Sequence, residues 1–472
     1  MQFTVISHAC LYIEHLNTRL LIDPWLLGSC YWRSWWNYPE PVKELVDSIK
    51  PTHIYITHLH WDHYHGPSLR KFEKYQPTII FPKHFNNRMV NDCKKGFKFK
   101  KIYEVDHGKQ LKIGNNFSIT SYQFNPLVID SSLVVEADDI NIFNANDSKV
   151  FGLSFKQILN KHKKFDFVLR SHSSASPTPH CIKGSNPENS YRSPRNYANE
   201  FAAFGKASQG KYIIPFASSH FYLHPDTEKY NKFYSNPKFV KEIFDKDNKG
   251  TQKCILMASG SKWSKEKGFK IIEHDYSLLD QHVEKAILEN KDKLNKQLKK
   301  EKISTLNEVS FRKYYNRFLQ SINFPFNFNF KFGFLINEKK SQRNFICIID
   351  GTKKSTYVIR IDKESEIYKY QLSFVIKTSA NIFNDCNSKM MHNTFSASKL
   401  LEIFLISKNS KKNLAKYFAL IDFYENDCLP YFKLFSKRNI RIIIRRWREI
   451  IDIIYYIYLI KLKKREIADL YN

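Results

Sequence analysis

The 472 residues exceed the size of one ordinary domain and predict two or three. The apolar share of 42% is enough for hydrophobic cores. The net charge of +29 suits either a polyanionic partner or a lysine-rich surface. The lysines are spread along the chain, and no zinc-finger spacing or other clear nucleic-acid motif accompanies them.

Cysteine usage and the absence of targeting signals predict a cytoplasmic protein. The eight cysteines are dispersed and form no CxxC pair, which indicates free thiols in a reducing compartment. The chain begins with the strand-like "MQFTVIS" rather than with a signal peptide. The longest apolar run, "IIDIIYYIYLI" (450–460), contains Asp452 and is too short to span a bilayer.

Residues 1–262 alternate strand-like and helix-like segments. "FTVIS" and "CLYIEHL" predict a hairpin, and "RLLID" predicts a buried strand ending at Asp23. The strand "HIYIT" is followed at once by a histidine cluster, and later strands alternate with helices as far as "KYIIPFA". This alternation is typical of a layered α/β domain.

The texture changes twice after residue 262. Residues 263–320 are lysine-rich and predict a helical linker. Residues 321–472 begin with alternating strands such as "FNFNFKFGFLI" and then become helical, which predicts a smaller α+β domain. Its layout is weakly similar to that of sterol carrier proteins.

The stretch "THLHWDHYHG" (57–66) carries the most specific chemistry in the chain. On an extended turn His58 and His60 point the same way and can share one ion. Asp62 and His63 can reach a second ion about 3.5–4 Å away. Imidazole suits zinc and iron, and the carboxylate favours a Lewis-acidic divalent ion. The loop follows a strand, where α/β folds commonly place their sites.

The order "HLHWDH" resembles the HxHxDH signature of the metallo-β-lactamase superfamily, with Asp23 as the companion aspartate. The stretch "LLIDPWLLGSCYWRSWWNYPEP" further resembles a subgroup that contains the metallo-β-lactamase-like part of CMP-N-acetylneuraminate hydroxylases and the ascorbate-6-phosphate lactonases. The resemblance covers residues 1–262. It implies a four-layer αβ/βα metallo-β-lactamase sandwich, to which the smaller C-terminal α+β domain is added.

The resemblance also implies further metal ligands. The bridging aspartate of the family corresponds to Asp147, and the late histidine corresponds to His220. His172 is a rival to His220 or a residue facing the substrate, and His224 is a further candidate that ordinary loop hydrogen bonding explains equally.

The third histidine of the family pattern is missing, because no histidine lies between residues 108 and 161. Gln123, Asn125 and Asp130 are the nearest polar candidates, and Asp130 is either a metal ligand or a structural partner to a serine. Two histidines with a carboxylate are also the arrangement of non-haem iron oxygenases. The resemblance implies zinc, as one or two ions, and the missing histidine leaves iron or manganese as alternatives.

Two further segments suggest binding partners. Arg33, Trp35 and Trp36 in "CYWRSWWNYPEP" can wall a pocket for an anionic small molecule or simply cover the sheet. The C-terminal helix places Arg441, Arg445 and other arginines beside an Ile/Tyr run. Such a helix usually buries its apolar side in its own domain, but it can also make peripheral contact with a membrane. The sequence leaves the oligomeric state open.

Three functions follow from these features. The first is a metal-dependent hydrolase acting on a phosphorylated or sugar-derived small molecule, with ligands His58, His60, Asp62, His63, Asp147 and His220 and with Asp62 also catalytic. The second is an iron-dependent oxygenase acting on a nucleotide sugar. The resemblance implies a Rieske centre for that reaction, but no CxH…CxxH pair is present, so electrons would come from a separate protein. The third is a non-catalytic binding module with a degraded metal site.

Overall fold

The computed structural model describes residues 1–85, 88–124, 130–190, 193–248, 250–323, 328–463 and 465–471. Its strands are β1 (Gln2–Ser7), β2 (Cys10–His15), β3 (Thr18–Ile22), β4 (Ser29–Cys30), β5 (Trp35–Asn37), β6 (His53–Tyr55), β7 (Thr78–Pro82), β8 (Ile102–Val105), β9 (Gln110–Gly114), β10 (Phe117–Gln123), β11 (Ser131–Ala137), β12 (Ile140–Asn146), β13 (Phe167–Ser171), β14 (Tyr212–Phe216), β15 (His220–Tyr222), β16 (Lys253–Cys254), β17 (Lys262–Ser264), β18 (Gly268–Lys270), β19 (Lys331–Glu338), β20 (Arg343–Asp350), β21 (Ser355–Ile361), β22 (Phe374–Ser379) and β23 (Glu402–Leu405).

The α-helices are α1 (Lys43–Ser48), α2 (Gly66–Phe72), α3 (Arg88–Gly96), α4 (Gly152–His162), α5 (Pro194–Ser208), α6 (Pro237–Asp247), α7 (Leu279–Glu289), α8 (Lys291–Ile303), α9 (Glu308–Ser321), α10 (Ala380–Lys389), α11 (His392–Phe395), α12 (Ser410–Glu425), α13 (Lys437–Arg445) and α14 (Trp447–Tyr456). A π-helical turn, Ile457–Leu462, continues α14.

Two mixed sheets pack face to face in the first part of the chain. The first has the order β18-β17-β1-β2-β3-β6-β7-β8, and the second has the order β16-β14-β13-β12-β11-β10-β9. Alternate apolar side chains of both sheets, among them Leu11 and Leu20 of the first and Leu133 and Ile142 of the second, are fully buried in one shared core. The alternation arises because successive side chains of a strand point to opposite faces.

Helices cover the outer face of each sheet. Leu69 and Phe72 of α2 and Met89 of α3 pack on the first sheet. Phe155 of α4 and Phe201 of α5 pack on the second. The layers therefore run helix, sheet, sheet, helix, which confirms the predicted four-layer sandwich.

The carboxyl ends of the parallel strands meet at one edge of this sandwich. In the first sheet β3, β6 and β7 are parallel, and in the second β12, β13 and β14 are parallel. The segments that directly follow β3, β6, β12 and β14 carry Asp23, His58, Asp147 and Ser218. Ligand sites of α/β folds commonly lie at such strand ends, so we expect a site at this edge.

The remainder of the chain forms a five-stranded sheet, β21-β20-β19-β22-β23, with helices α9 to α12 against it. Its core is continuous with aromatic side chains of the first part, including Trp32 and Tyr222. The indole Nε1–H of Trp32 also donates to Asp385 at 2.9 Å.

The predicted division into 1–262, 263–320 and 321–472 stays a proposal. Strands β17 and β18 continue the first sheet past residue 262. Helices α7, α8 and α9 occupy most of the predicted linker.

The C-terminal segment returns to the first sandwich. Asp452 of α14 accepts hydrogen bonds from the backbone N–H groups of Leu153 and Ser154, at 2.6 and 2.8 Å, and so caps α4. Within the described ranges, no helix combines the length and the apolar character needed to cross a bilayer. The apolar side chains of α14 that the sequence led us to expect in a core are largely exposed.

Candidate metal centre

The loop after β6 brings two imidazole rings together. Nε2 of His58 lies 2.8 Å from Nδ1 of His60. The backbone N–H of His63 donates to the carbonyl of His60 at 3.1 Å, which closes the turn before α2 begins. The two facing nitrogens can bind one ion together.

Asp62 and His63 form a second group with His8. Oδ2 of Asp62 lies 3.0 Å from Nε2 of His8 and 3.2 Å from Nε2 of His63. The phenol of Tyr31 donates to the other carboxylate oxygen at 2.5 Å. His8, Asp62 and His63 are all buried, and their ligand atoms lie within 4.8 Å of one another.

Two further carboxylates face the same rings. Oδ2 of Asp147 lies 3.4 Å from Nε2 of His63, and His58, His63 and Asp147 form another compact group. Oδ1 of Asp130 lies 3.8 Å from Nδ1 of His58. Burial and the nearby Asp147 carboxylate raise the pKa of Asp130 to about 8. A bound cation would reverse this effect, because it stabilises carboxylates in their charged form.

Asp23 supports the loop from beneath. Its left-handed backbone, with φ +46°, turns the chain at the end of β3, and its side chain is fully buried. One carboxylate oxygen accepts from the backbone N–H of Thr57 at 2.8 Å, and the other contacts Nδ1 of His63 at 2.9 Å. A carboxylate on one ring nitrogen leaves the other nitrogen, Nε2, directed at the metal position.

His220 also lines the cavity, with its ring centroid 5.2 Å from that of His8. Its ring stacks on Trp35 with a centroid distance of 3.6 Å and an interplanar angle of 4°. Nδ1 of His220 is buried without a hydrogen-bond partner among the described residues. His172 points Nδ1 towards the carbonyl of Phe216 at 3.3 Å, and its Nε2 is likewise unsatisfied there.

Electrostatics favour neutral imidazoles at most of these positions. Burial lowers the pKa of His58, His60 and His220, so their rings are neutral near pH 7 and can offer a lone pair. Burial also opposes a charge on His63, but neighbouring carboxylates, Asp62 foremost, outweigh it and raise its pKa. Metal binding would displace that proton.

The donor set fits a divalent metal. Nε2 of His63, Oδ1 of Asp147 and Nδ1 of His220 are buried ligand atoms that make no hydrogen bond within the described residues. Unsatisfied buried polar atoms are costly, and several of them converging on one cavity indicate a cation site. Imidazole and carboxylate together suit zinc, iron or manganese.

The cavity beside these ligands has a volume of about 220 Å³. Besides the ligands it is lined by Lys149, Tyr197 and a group of small hydroxyl residues: Ser171, Ser173, Ser174, Ser176 and Ser218. Nζ of Lys149 contacts the Tyr197 hydroxyl and lies 3.5 Å from Glu200. The guanidinium of Arg170 donates a hydrogen bond to the same Glu200 carboxylate at 2.6 Å.

Other predicted site residues lie outside this cavity. Arg33 bonds Ser29 at the wall of a different surface cleft, and Trp36 packs in a separate core with Phe221. His224 contacts Glu301 through Nε2 at 3.2 Å and faces Asp226 with the opposite nitrogen at 3.9 Å. Those two carboxylates therefore approach His224 from different sides of the ring.

The candidates for the missing third histidine separate in the same way. The amide of Gln123 donates to the Lys83 carbonyl and accepts from Arg446, away from the metal position. Asn125 lies outside the described residues. Of the two described candidates, Asp130 lies beside the histidines.

Sequence reasoning missed three residues here. His8 sits in the turn between β1 and β2, where the hairpin register shifts, and Tyr31 and Lys149 approach from other loops. The sequence signal that could have identified His8 is its position between two apolar strands. Tyr31 and Lys149 had no distinguishing local pattern.

Comparison with known families agrees with this geometry. Residues 18–180 match the model of the beta-lactamase superfamily domain. Over 152 residues the chain is 30% identical to the cytidine monophosphate-N-acetylneuraminic acid hydroxylase of Cricetulus griseus, which covers 31% of this chain and 27% of the hydroxylase. The chain thus spans about a quarter of the length of the curated relatives it matches most extensively.

Two solved structures illustrate the range of similar folds. CmlA, a diiron β-hydroxylase from Streptomyces venezuelae, aligns at 16% identity with a TM-score of 0.38, covering 55% of this chain and 53% of that chain. A possible metal-dependent hydrolase from Veillonella parvula aligns at 15% identity with a TM-score of 0.41, covering 56% of this chain and 98% of that chain.

Proposed function

We propose that this chain, whose residues 18–180 form a beta-lactamase superfamily domain, is a metal-dependent hydrolase of a phosphorylated or sugar-derived small molecule. Divalent metal binding is a general property of the fold, and we infer zinc, as one or two ions, as the cofactor. An iron-dependent oxygenase is the second candidate.

One observation carries the proposal: six candidate ligand side chains from three separate segments of the sequence come together beside one cavity. They are His8, His58, His60, Asp62, His63 and Asp147. Nε2 of His8, Nε2 of His63 and Oδ1 of Asp147 are buried without a hydrogen-bond partner among the described residues, and a bound cation would satisfy them. His220 lines the same cavity, and we assign it as a further ligand.

A divalent ion bound here supplies Lewis acidity, which lowers the pKa of a coordinated water to about 7. The side chains of the chain do the rest. Asp62 is held by His8 and Tyr31, and we assign it the roles of ligand and proton acceptor. Asp23 fixes the ring of His63 through Nδ1.

The far wall of the cavity favours an anionic substrate. Lys149 lines the cavity and shares the Glu200 carboxylate with the buried Arg170. A bound cation would offset the negative charge of the aspartates that line the same cavity. The surrounding serine hydroxyls can donate hydrogen bonds to phosphate or sugar oxygens. A phosphorylated or carboxylated small molecule matches this combination of charge and donors.

The test combines metal analysis with a substrate panel. Protein prepared with zinc, iron or manganese is analysed for bound metal and assayed on phosphomonoesters, phosphodiesters, lactones and amides. We expect hydrolysis of at least one class by the metal-loaded protein, at least about a hundredfold faster than by His60→Gln. His53→Gln, a histidine of the preceding strand outside the cavity, is the matched control and should retain the rate. Equal rates in all three proteins would contradict a hydrolytic metal centre.

The position of Asp130 supports the oxygenase candidate. Asp130 lies 3.8 Å from His58, and we infer that it takes the place of the missing histidine, which gives a carboxylate-rich set that suits iron. The 30% identical relatives are named as hydroxylases of a nucleotide sugar. Retention of iron and oxygen-dependent hydroxylation of a cytidine monophosphate sugar, with an external electron donor, would favour this candidate. Zinc as the sole retained metal after expression with iron supplied would count against it.

A further inference from the structure

The C-terminal helices expose a large apolar surface. We call it the apolar face; its members, each exposed by 42% or more, are Ile444, Trp447, Ile450, Ile451, Ile454, Tyr455, Ile457, Tyr458 and Leu462. Ile444, Ile454 and Leu462 are exposed by 64%, 63% and 70%. Single exposed aliphatic residues are ordinary, but a contiguous set of this size marks an interaction site.

The polar side of the same helices is buried instead. Arg446 is 2% exposed, pairs with Glu449 through two hydrogen bonds of 2.7 and 2.9 Å, and donates to Gln123. Asp452, 1% exposed, caps α4. Removing these charges from their partners would be costly, so the helices cannot roll over to bury the apolar face.

Further ion pairs hold the segment at its beginning. Arg438 pairs with Glu104 at 2.5 Å, and Arg445 pairs with Asp106 at 2.8 Å. Both carboxylates lie at or just after the end of β8, in the first sandwich. The apolar face is therefore fixed on the outside of the folded protein.

The exposed charges within this segment are basic. Between residues 437 and 463 the only acidic residues are Glu449 and Asp452, and both are buried. Lys437, Arg441 and Lys463 are exposed, and Arg445 is exposed but pairs with Asp106. Basic side chains flanking a broad apolar surface complement the headgroups and acyl boundary of an anionic bilayer.

The width of the face distinguishes a membrane from a partner helix. A two-helix seam uses a narrow stripe of alternating three- and four-residue spacing. Here neighbouring positions such as Ile450 with Ile451, Ile454 with Tyr455 and Ile457 with Tyr458 are exposed together, which widens the face beyond one stripe. We propose that the apolar face inserts into the surface of an anionic lipid bilayer and holds the enzyme there.

The experiment is vesicle flotation of the full-length protein. Vesicles of phosphatidylcholine alone are compared with vesicles of an equimolar phosphatidylcholine and phosphatidylserine mixture, at low and high salt. We expect flotation with the anionic vesicles at low salt and at least about tenfold weaker partition onto the neutral ones. Equal flotation with both would overturn the anionic preference, and no flotation with either would overturn the proposal.

Matched variants test the face itself. The variant Trp447→Glu/Ile451→Glu/Ile454→Glu should lose at least about tenfold in partition onto anionic vesicles, since three apolar contacts are replaced by repelled charges. The control Leu288→Glu/Ile303→Glu/Val309→Glu changes equally exposed residues on other helices and should float like the parent. Unchanged flotation of the first variant would overturn the proposal.

Two readouts separate membrane insertion from misfolding and from dimerisation. Every cysteine of the chain is buried, so Ile454→Cys gives one accessible thiol for an environment-sensitive fluorophore. Its emission should shift to the blue on adding anionic vesicles. Thermal unfolding checks that the triple variant still folds. If light scattering instead finds a dimer that the triple variant dissociates, with no blue shift on vesicles, the face joins two copies of the chain and the membrane proposal fails.

Discussion

Asp23 shows how one carboxylate organises a metal site without entering it. It bonds the backbone and hydroxyl of Thr57, the amide of Asn146 and the ring of His63. These contacts tie the loop after β6 to the end of β12. The position of His63 is therefore set by a residue forty positions earlier in the chain.

We expect Asp23→Asn to weaken metal binding by about 10- to 100-fold, because the neutral amide holds the His63 tautomer less firmly. Competition with a coloured chelator measures the affinity, and circular dichroism checks the fold. Asp92→Asn, on the exposed side of α3, serves as the control. Unchanged affinity in Asp23→Asn would limit Asp23 to a structural role.

Lys149 allows the substrate charge to be tested at the same scale. We expect Lys149→Met to raise KM about tenfold or more for an anionic substrate, since a charged hydrogen bond contributes about 1.5–3 kcal/mol, while kcat changes less. Steady-state kinetics of the metal-loaded protein measure both. Lys161→Met, which removes an exposed lysine of α4, should leave KM unchanged. A neutral substrate would show no difference between the two variants.

At the scale of elements, the start of α4 depends on α14. Gly152 has φ +61°, and a Cβ added there would lie 2.2 Å from Oδ1 of Asp452. The carboxylate thus occupies the space that a side chain would need. A glycine at this position lets the acidic cap approach the first turn of α4.

We expect Gly152→Ala to lower the free energy of unfolding by about 1–2 kcal/mol more than Gly184→Ala does. Both glycines have positive φ, so alanine causes backbone strain at either position, but a Cβ at Gly184 would meet open space. Urea denaturation measures the difference. When each alanine is introduced separately into Asp452→Ala, the two substitutions should lower the free energy of unfolding equally. If Gly152→Ala still costs more in that background, the Asp452 carboxylate is not responsible for the difference.

At the scale of the whole molecule, the candidate metal centre joins segments that are far apart in the sequence. His8, His58 and Asp147 lie in loops of the two sheets, and His220 is the first residue of strand β15. A cation bound to all of them stabilises the folded chain over the unfolded one by mass action.

We expect the zinc-loaded protein to unfold several degrees above the chelator-treated protein. At a free ion concentration a thousandfold above Kd, the stabilisation is about 4 kcal/mol. Scanning calorimetry measures the shift. The variant His58→Gln/His60→Gln should unfold at one temperature with or without zinc, and an equal shift in this variant would place the stabilising ion elsewhere.

The candidate ligands of the loop after β6 could be predicted from the sequence because they lie within one short, contiguous motif. The spacing of His58, His60, Asp62 and His63 and their position after a strand needed no distant contact to be recognised. The alternation of strands and helices likewise predicted the sandwich, since apolar periodicity reflects which side of each element is buried. The role of Asp130 remained open because burial and a neighbouring carboxylate, rather than its local sequence, set its pKa.

Tertiary structure alone decided which remote residues complete the site and which surface is left uncovered. His8 reaches Asp62 because the β1–β2 turn lies at the edge where β6 ends, and chain distance does not encode that meeting. The Ile/Tyr run of α14 predicted burial, as most such runs do. Arg446 and Asp452 bond to the sandwich, and Glu449 pairs with Arg446, so the polar side was buried and the apolar side was left facing out.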